Sequence, residues 1–340
     1  MRVTGTLYVT DHRARIRVRK RNIVVEQPSG WLRVPIETVE GVVLAARAEI
    51  TNAAIGELVR RGVRIAALSR SGRLRFSIGG PTSGNVHLRL AQYRLADDPR
   101  IAAEVARWLV AGKLQNCRHA MRRWSWDADA DLRAVFDREI GMIEERIAAL
   151  GSASSGDKIR GIEGDGTRRY FKCLTMHFGF GDELLRFPRR TRRPPRDPVN
   201  SLLSFTYGLV LAELVGALDG VGLDPQIGFL HRPRSGRPSL ALDLLEELRP
   251  SVADRFVISV LKRRQIRAEH FETVGDAYYL NDEGRQAVLA AYEQFRSDVV
   301  EHRILQREVG RWALPSVQAT LMARFIRGDL PLYPPFVGRP

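Results

Sequence analysis

The chain has 340 residues and is 44% hydrophobic, enough to bury a sizeable core and to exclude disorder as a whole-chain reading. Lys and Arg total 54 against 39 acids, a net charge of +15, which favours a polyanionic partner such as nucleic acid; an arginine-biased genome produces the same excess without one. Two distant cysteines, Cys117 and Cys173, exclude a disulfide framework and any zinc spacing, and they suit a reducing compartment.

The first eighty or so residues read as β-rich. Ala14, Ile16 and Val18 alternate with Arg13, Arg15, Arg17 and Arg19, a strand with one apolar and one basic face. Gly41 to Ala46 and Val63 to Leu68 are further apolar strands. Between them, Thr51 to Arg61 has helical spacing and ends at Gly62. Arg73, Phe76 and Ile78 belong to another short strand.

The character changes near residue 90. Asp98-Pro99 is an N-cap followed by proline at the first helical position, and an amphipathic pattern follows through Ile101, Val105, Trp108, Leu109 and Leu114. A second helix is expected from about Asp131 to Leu150, then a loop at Gly151 to Gly156, then a helix from Thr167 to Phe178. Helical patterns dominate to about Trp312, and the proline-rich end from Gly328 to Phe336 cannot be regular helix. The expected fold is α+β: a small β-rich N-terminal domain, residues 1–90, followed by a larger all-α C-terminal domain, residues 91–340. The N-terminus shows no apolar signal core, and the apolar stretch Ser201 to Ala212 is too short to span a bilayer. A cytoplasmic protein without membrane attachment is expected.

Three segments carry candidate chemistry. Glu163 is flanked by Gly161 and Gly164; alone, it reads as a first-turn glutamate answering the helix dipole. His231 ends the apolar segment Ile227 to Leu230, where a lone histidine is usually structural. A helix is expected next, with Ser239 as its cap. On it Asp243, Glu246 and Glu247 occupy i, i+3 and i+4 and share one face, opposite Leu240, Leu244, Leu245 and Leu248. A bound cation would relieve the repulsion on that face; pairing with Arg249 on a solvated face would do so too. Carboxylates and an imidazole suit a hard or borderline divalent cation. Arg186, Arg189, Arg190, Arg192, Arg193 and Arg196 form a proline-broken run that could track phosphates or serve as a charged linker. The apolar helix from Ser201 to Leu218 follows at once and anchors the run to the core.

At these residues the sequence resembles a known family, the CRISPR-associated endonuclease and spacer integrase, the larger of the two adaptation proteins. The matching motifs are Glu163 with Tyr170-Phe171, Arg193 to Asn200 with Leu203 to Gly208, Gly228 to His231, and Ser239 to Pro250. The resemblance implies that Glu163, His231 and Glu246 bind Mg²⁺ or Mn²⁺ and carry catalysis. Asp243 is then a further ligand or a neighbour behind the ligands, and Arg186, Arg189, Arg190, Arg192, Arg193 and Arg249 are the residues expected on DNA. It implies insertion of foreign DNA fragments as spacers by 3′-hydroxyl transesterification, on double-stranded protospacer and repeat DNA. It further implies a homodimer built through the N-terminal domain and a small dimeric adaptation partner. Gly166 departs from the family pattern, where alanine is expected. A repair nuclease acting on branched DNA and a non-catalytic DNA-binding scaffold are the alternatives.

Overall fold

The computed structural model describes residues 5–80, 86–179 and 183–339. The N-terminal part contains β1 (Gly5–Val9), β2 (Arg15–Arg19), β3 (Asn22–Gln27), β4 (Gly30–Pro35), β5 (Val39–Leu44), β6 (Glu49–Ile50), α1 (Asn52–Arg60), β7 (Arg64–Leu68) and β8 (Leu74–Ile78). They form two four-stranded sheets, ordered β1-β5-β7-β8 and β4-β3-β2-β6. The basic–apolar alternation of β2 works as expected: Ala14 and Ile16 are buried, and both sheets close over one core with Ile23, Val25, Val42, Leu58 and Ile65. Thr51 caps α1 by accepting from the Ala54 N–H, and Gly62 follows at φ +77°, a conformation glycine takes without strain.

From Val86 onward the chain is mostly helical: α2 (Val86–Asp97), α3 (Pro99–Trp126), α4 (Ala130–Leu150), α5 (Gly156–Phe178), α6 (Pro198–Val221), α7 (Ser239–Leu248), α8 (Asp254–Lys262), α9 (Asp282–Ser297) and α10 (Leu314–Arg327). The α+β reading therefore holds, and the helical part also carries two hairpins. β9 (Phe271–Val274) pairs with β10 (Ala277–Leu280), and β11 (Val299–His302) pairs with β12 (Arg307–Gly310). Four-residue strands are too short to break a helical pattern in the sequence; positive φ at Gly275 and Gln306 turns them.

α5 differs from expectation. It starts at Gly156, capped by the Ser155 hydroxyl, so Glu163 lies well inside the helix and does not answer its dipole. Three glycines disguise this stretch in the sequence. Gly166 has a packing reason: a Cβ there would come within 2.4 Å of Leu114 Cδ2, so its absence lets α5 lie close on α3. α7 also starts differently, because Ser239 is its first residue, Pro238 precedes it, and neither side chain caps it.

α6 is the central helix. Its most apolar window has a mean hydropathy of 1.6, long enough to cross a membrane by composition, yet 67% of it is buried in the fold. It is wider than the Ser201–Ala212 stretch visible in the sequence because Glu213 and Asp219 are matched by Arg296 and Arg64. Gly208 on α6 meets Gly72, in the β7–β8 turn, backbone to backbone; a Cβ on Gly208 would lie 1.6 Å from the Gly72 oxygen.

Candidate metal and nucleic-acid site

The site lies where α3, α5, α7 and the 228–231 segment meet. α7 is buried on every side, so its three acids do not share a solvated face. Successive residues point about 100° apart on a helix, and the carboxylates go to three different partners. Asp243, fully buried, accepts the backbone N–H groups of Phe229 at 2.6 Å, Leu230 at 3.0 Å and His231 at 2.9 Å. Its Oδ1 also meets Nδ1 of His231 at 2.7 Å. Glu247 turns the other way and accepts from Gln318 at 2.9 Å, Tyr333 at 2.6 Å and the Phe336 N–H at 2.9 Å, an all-buried network that straps the C-terminal segment to α7. Burial raises the Glu247 carboxyl to about 7. Of the three, Glu246 alone shares a partner with Glu163, the Lys113 ammonium.

Glu246 Oε1 lies 2.6 Å from Arg249 Nη1 and 3.8 Å from His231 Nε2. Its Oε2 lies 2.6 Å from Lys113 Nζ, though no hydrogen bond of normal angle reaches that buried oxygen. Lys113, on α3, also contacts Glu163 Oε1, which accepts from the Thr167 hydroxyl at 2.8 Å. Burial alone would raise the Glu246 carboxyl; Arg249, Lys113 and His231 overcome it and hold the group down at about 2. Lys113 stays charged for the converse reason, since Glu246 and Glu163 outweigh its burial. After Leu248 the chain makes one π-helical turn, Arg249–Ala253, which aims Arg249 back at Glu246 and over the Tyr207 ring, 4.9 Å from its centroid.

The structure thus brings Glu163, His231 and Glu246 together and puts Asp243 behind His231. Among the described residues, no three His, Cys, Asp or Glu side chains converge tightly enough to ligate one ion as they stand. The Lys113 ammonium lies between the two glutamates. The donor set still fits Mg²⁺ or Mn²⁺: two carboxylates, now sharing the Lys113 ammonium, and one imidazole whose Nε2 is kept clear by the bond at Nδ1. Lys113 was missed in the sequence. Its signal was there: it falls on the buried stripe of α3 with Leu109, Val110 and Cys117, where a charge needs a partner.

The arginines separate into two groups. Arg186, Arg189, Arg192 and Arg193 are exposed. Arg190 instead turns inward to Asn200 Oδ1 at 2.7 Å and the Ser204 hydroxyl at 3.1 Å, and Arg249 is buried in the acidic cluster. Neither presents an open face to phosphate, because each is committed to a buried acceptor. Asn200, also missed, holds the run in place. It accepts from Thr191 N at 2.8 Å and donates to Arg189 O at 2.8 Å. Beside the run lies a cavity of about 540 Å³ lined by Arg186, Arg189, Arg196, Phe271 and Tyr278.

Comparison with known proteins bears on what this arrangement serves. The profile of the family described as CRISPR associated protein Cas1 matches residues 7–294. The CRISPR-associated endonuclease Cas1 2 of Rhodospirillum rubrum is 37% identical over 342 residues, covering 98% of each chain. The CRISPR-associated endonuclease Cas1 1 of Moorella thermoacetica is 36% identical over 338 residues, again covering 98% of each. In fold, the chain is similar to a Cas1 protein from Thermotoga maritima, with a TM-score of 0.82, 23% identity, and 97% and 99% of the two chains covered. It is similar in fold to a casposase bound to integration product, with a TM-score of 0.80, 20% identity and 96% and 92% coverage. The profile spans most of the described fold and relatives over a third identical run its whole length, so the chain belongs to the Cas1 family of CRISPR-associated endonucleases.

Proposed function

We propose that this protein is a metal-dependent DNA endonuclease and integrase that joins foreign DNA fragments, as spacers, into a CRISPR array by 3′-hydroxyl transesterification. The observation that carries the reading is the meeting of three separate segments: Glu163 and Glu246 share the buried Lys113 ammonium, and His231 Nε2 lies 3.8 Å from Glu246. Mg²⁺ or Mn²⁺ held by these residues would supply charge stabilisation at the scissile phosphate. The rest falls to the chain itself. Asp243 fixes the His231 ring so that Nε2 faces Glu246, and the exposed Arg186, Arg189, Arg192 and Arg193 hold the DNA backbone. In strand transfer, the fragment's 3′-hydroxyl oxygen bonds to a repeat phosphorus as that phosphorus loses its bond to the 3′-oxygen of the cut strand. A proton leaves the attacking hydroxyl and one is taken up by the departing oxygen. One phosphodiester replaces another, so no ATP is needed. Water as nucleophile turns the same exchange into cleavage.

In this reading two copies associate through residues 1–90, and a small dimeric adaptation protein bridges the dimers in the cytoplasm. The exposed Trp31 and Leu32 on edge strand β4 support self-association there. The test is strand transfer of a DNA fragment into a plasmid-borne array, with the neighbouring small partner and Mn²⁺. Glu163→Gln, His231→Ala and Glu246→Gln should each abolish joining. Joining in EDTA, or near-normal joining by these variants, rejects the reading. Cleavage of branched junctions without the partner, and none at the array, favours the repair nuclease.

A further inference from the structure

We infer that Lys113 is a built-in counter-cation: its ammonium holds Glu163 and Glu246 together in the metal-free protein and must leave that seat for a divalent cation to bind. The inference rests on the metal-site reading above. It starts from the position of Nζ, which bridges the two glutamates while the side chain is almost wholly excluded from water, at 4% exposure. The Glu246 carboxylate is buried at 3% exposure and Glu163 is partly so at 23%, and with both on one ammonium their like charges repel one another. One interposed positive charge removes the conflict. An ammonium and a divalent ion cannot share that gap, because each would face a like charge at contact distance in a poorly solvated site.

The displacement has to come from the side chain. Gly112, next to Lys113, packs so tightly that a Cβ there would lie 2.5 Å from Pro335 Cβ, and Gly166 brings α5 equally close to Leu114. α3 therefore has no room to carry the lysine away as a backbone movement. Lysine is suited to the task, since its charge sits on a flexible four-carbon stem. Arg249 does not compete in the same way. It contacts only Oε1 of Glu246 and is held by its stacking on Tyr207.

The protein's affinity for the cation then contains the cost of expelling Lys113. A substitution that removes the ammonium and keeps the stem should tighten binding and weaken the metal-free fold. The experiment compares the wild-type protein with Lys113→Met by calorimetric Mn²⁺ titration and thermal melting, in EDTA and in saturating Mn²⁺. In Lys113→Met we expect the Mn²⁺ Kd to fall by about tenfold or more, because the competing state is gone. We also expect a lower melting temperature in EDTA and a larger rise on adding Mn²⁺. Wild type that binds Mn²⁺ while Lys113→Met binds it equally or more weakly overturns the inference alone. If neither protein binds Mn²⁺, the metal-site reading falls as well. Should Lys113→Met fail to fold, a crystal structure of the wild-type protein with Mn²⁺ decides. Nζ moved out of reach of both carboxylates supports the inference, and Nζ still bridging them overturns it.

Discussion

Asp243 grips His231 twice with one oxygen: Oδ1 accepts the histidine's backbone N–H at 2.9 Å and meets its ring Nδ1 at 2.7 Å. Main chain and ring orientation are thus set by the same carboxylate. Asp243→Asn puts an amide where these donors need an acceptor, so the Mn²⁺ Kd should rise by about 10–100-fold. Asp243→Ala leaves buried N–H groups unpaired and should cost about 3–5 kcal/mol of stability. Calorimetric Mn²⁺ titration and chemical denaturation check the two figures. A Kd equal to wild type in Asp243→Asn would mean that the ring orientation does not matter for the metal.

Gly228→Ala should reproduce part of that defect without touching any acid. A Cβ at this position would lie 2.6 Å from Asp243 Oδ2 and 2.7 Å from the Ser239 carbonyl carbon. Backbone on one side and a fully used carboxylate on the other leave nothing able to yield. We expect a loss of about 2–3 kcal/mol in urea unfolding, together with weaker Mn²⁺ binding. Wild-type stability in this variant would show that the 228–231 segment relaxes freely.

Asp254 gives a pH signature separable from the metal site. Burial raises its carboxyl to about 6, against the hydrogen bonds from Tyr207 and Tyr170 and the charges of Arg249 and Arg190. The ordinary value is 3.8, so between about pH 4 and 6 the folded chain keeps a proton that the unfolded chain has lost. Its contribution to stability is full below that window and is lost as pH rises through it. His177 works oppositely. Burial lowers it to about 3, so its contribution is lost as pH falls from its ordinary 6.5. The difference between wild type and Asp254→Asn isolates the aspartate, since the tyrosine hydroxyls can reverse to suit the amide. Wild type should lose about 2 kcal/mol relative to the variant between about pH 4 and 7. Parallel stability curves would mean that Asp254 is ionised throughout.

The arginine run should act through counterion release. Arg192→Glu with Arg193→Glu, both exposed, should flatten the log–log salt dependence of DNA affinity by about two. Asn200→Ala should weaken DNA binding without changing charge, because it removes the pin that orders the run through Arg190, Thr191 and Arg189. Fluorescence anisotropy across a salt series reads both. An unchanged slope in the double variant would assign the run to a solvated face.

The local starts and stops were legible wherever a cap and its helix lie side by side in the chain. Asp98 before Pro99 opens α3, and Thr51 and Gly62 bracket α1, as their short-range chemistry requires. The segments around Glu163, His231 and Glu246 were legible as motifs, but not their partners. Lys113 lies fifty residues before Glu163 in an ordinary amphipathic helix, and only folding brings it between the acids. The split among Asp243, Glu246 and Glu247 was hidden because helical spacing records which residues are near each other and not which neighbouring element each faces. The start of α5 was hidden by its glycines, which have weak helical propensity; of them Gly166 packs against Leu114 on α3.

The contact between Gly72 and Gly208 has a consequence for how the molecule comes apart. Without a side chain on either residue, the turn between β7 and β8 lies directly on the middle of α6, and the Arg64–Asp219 pair, 2.8 Å apart, ties β7 to the far end of the same helix. Tyr207, next to Gly208 on the same turn of α6, reaches Asp254, and the first turn supplies Asn200 to the arginine run. The sheets cannot peel away without exposing a helix on which the acidic cluster also depends. Unfolding should therefore be a single cooperative event across both cores, with one calorimetric transition, and with the α6 amides near Gly208 among the slowest to exchange with deuterium.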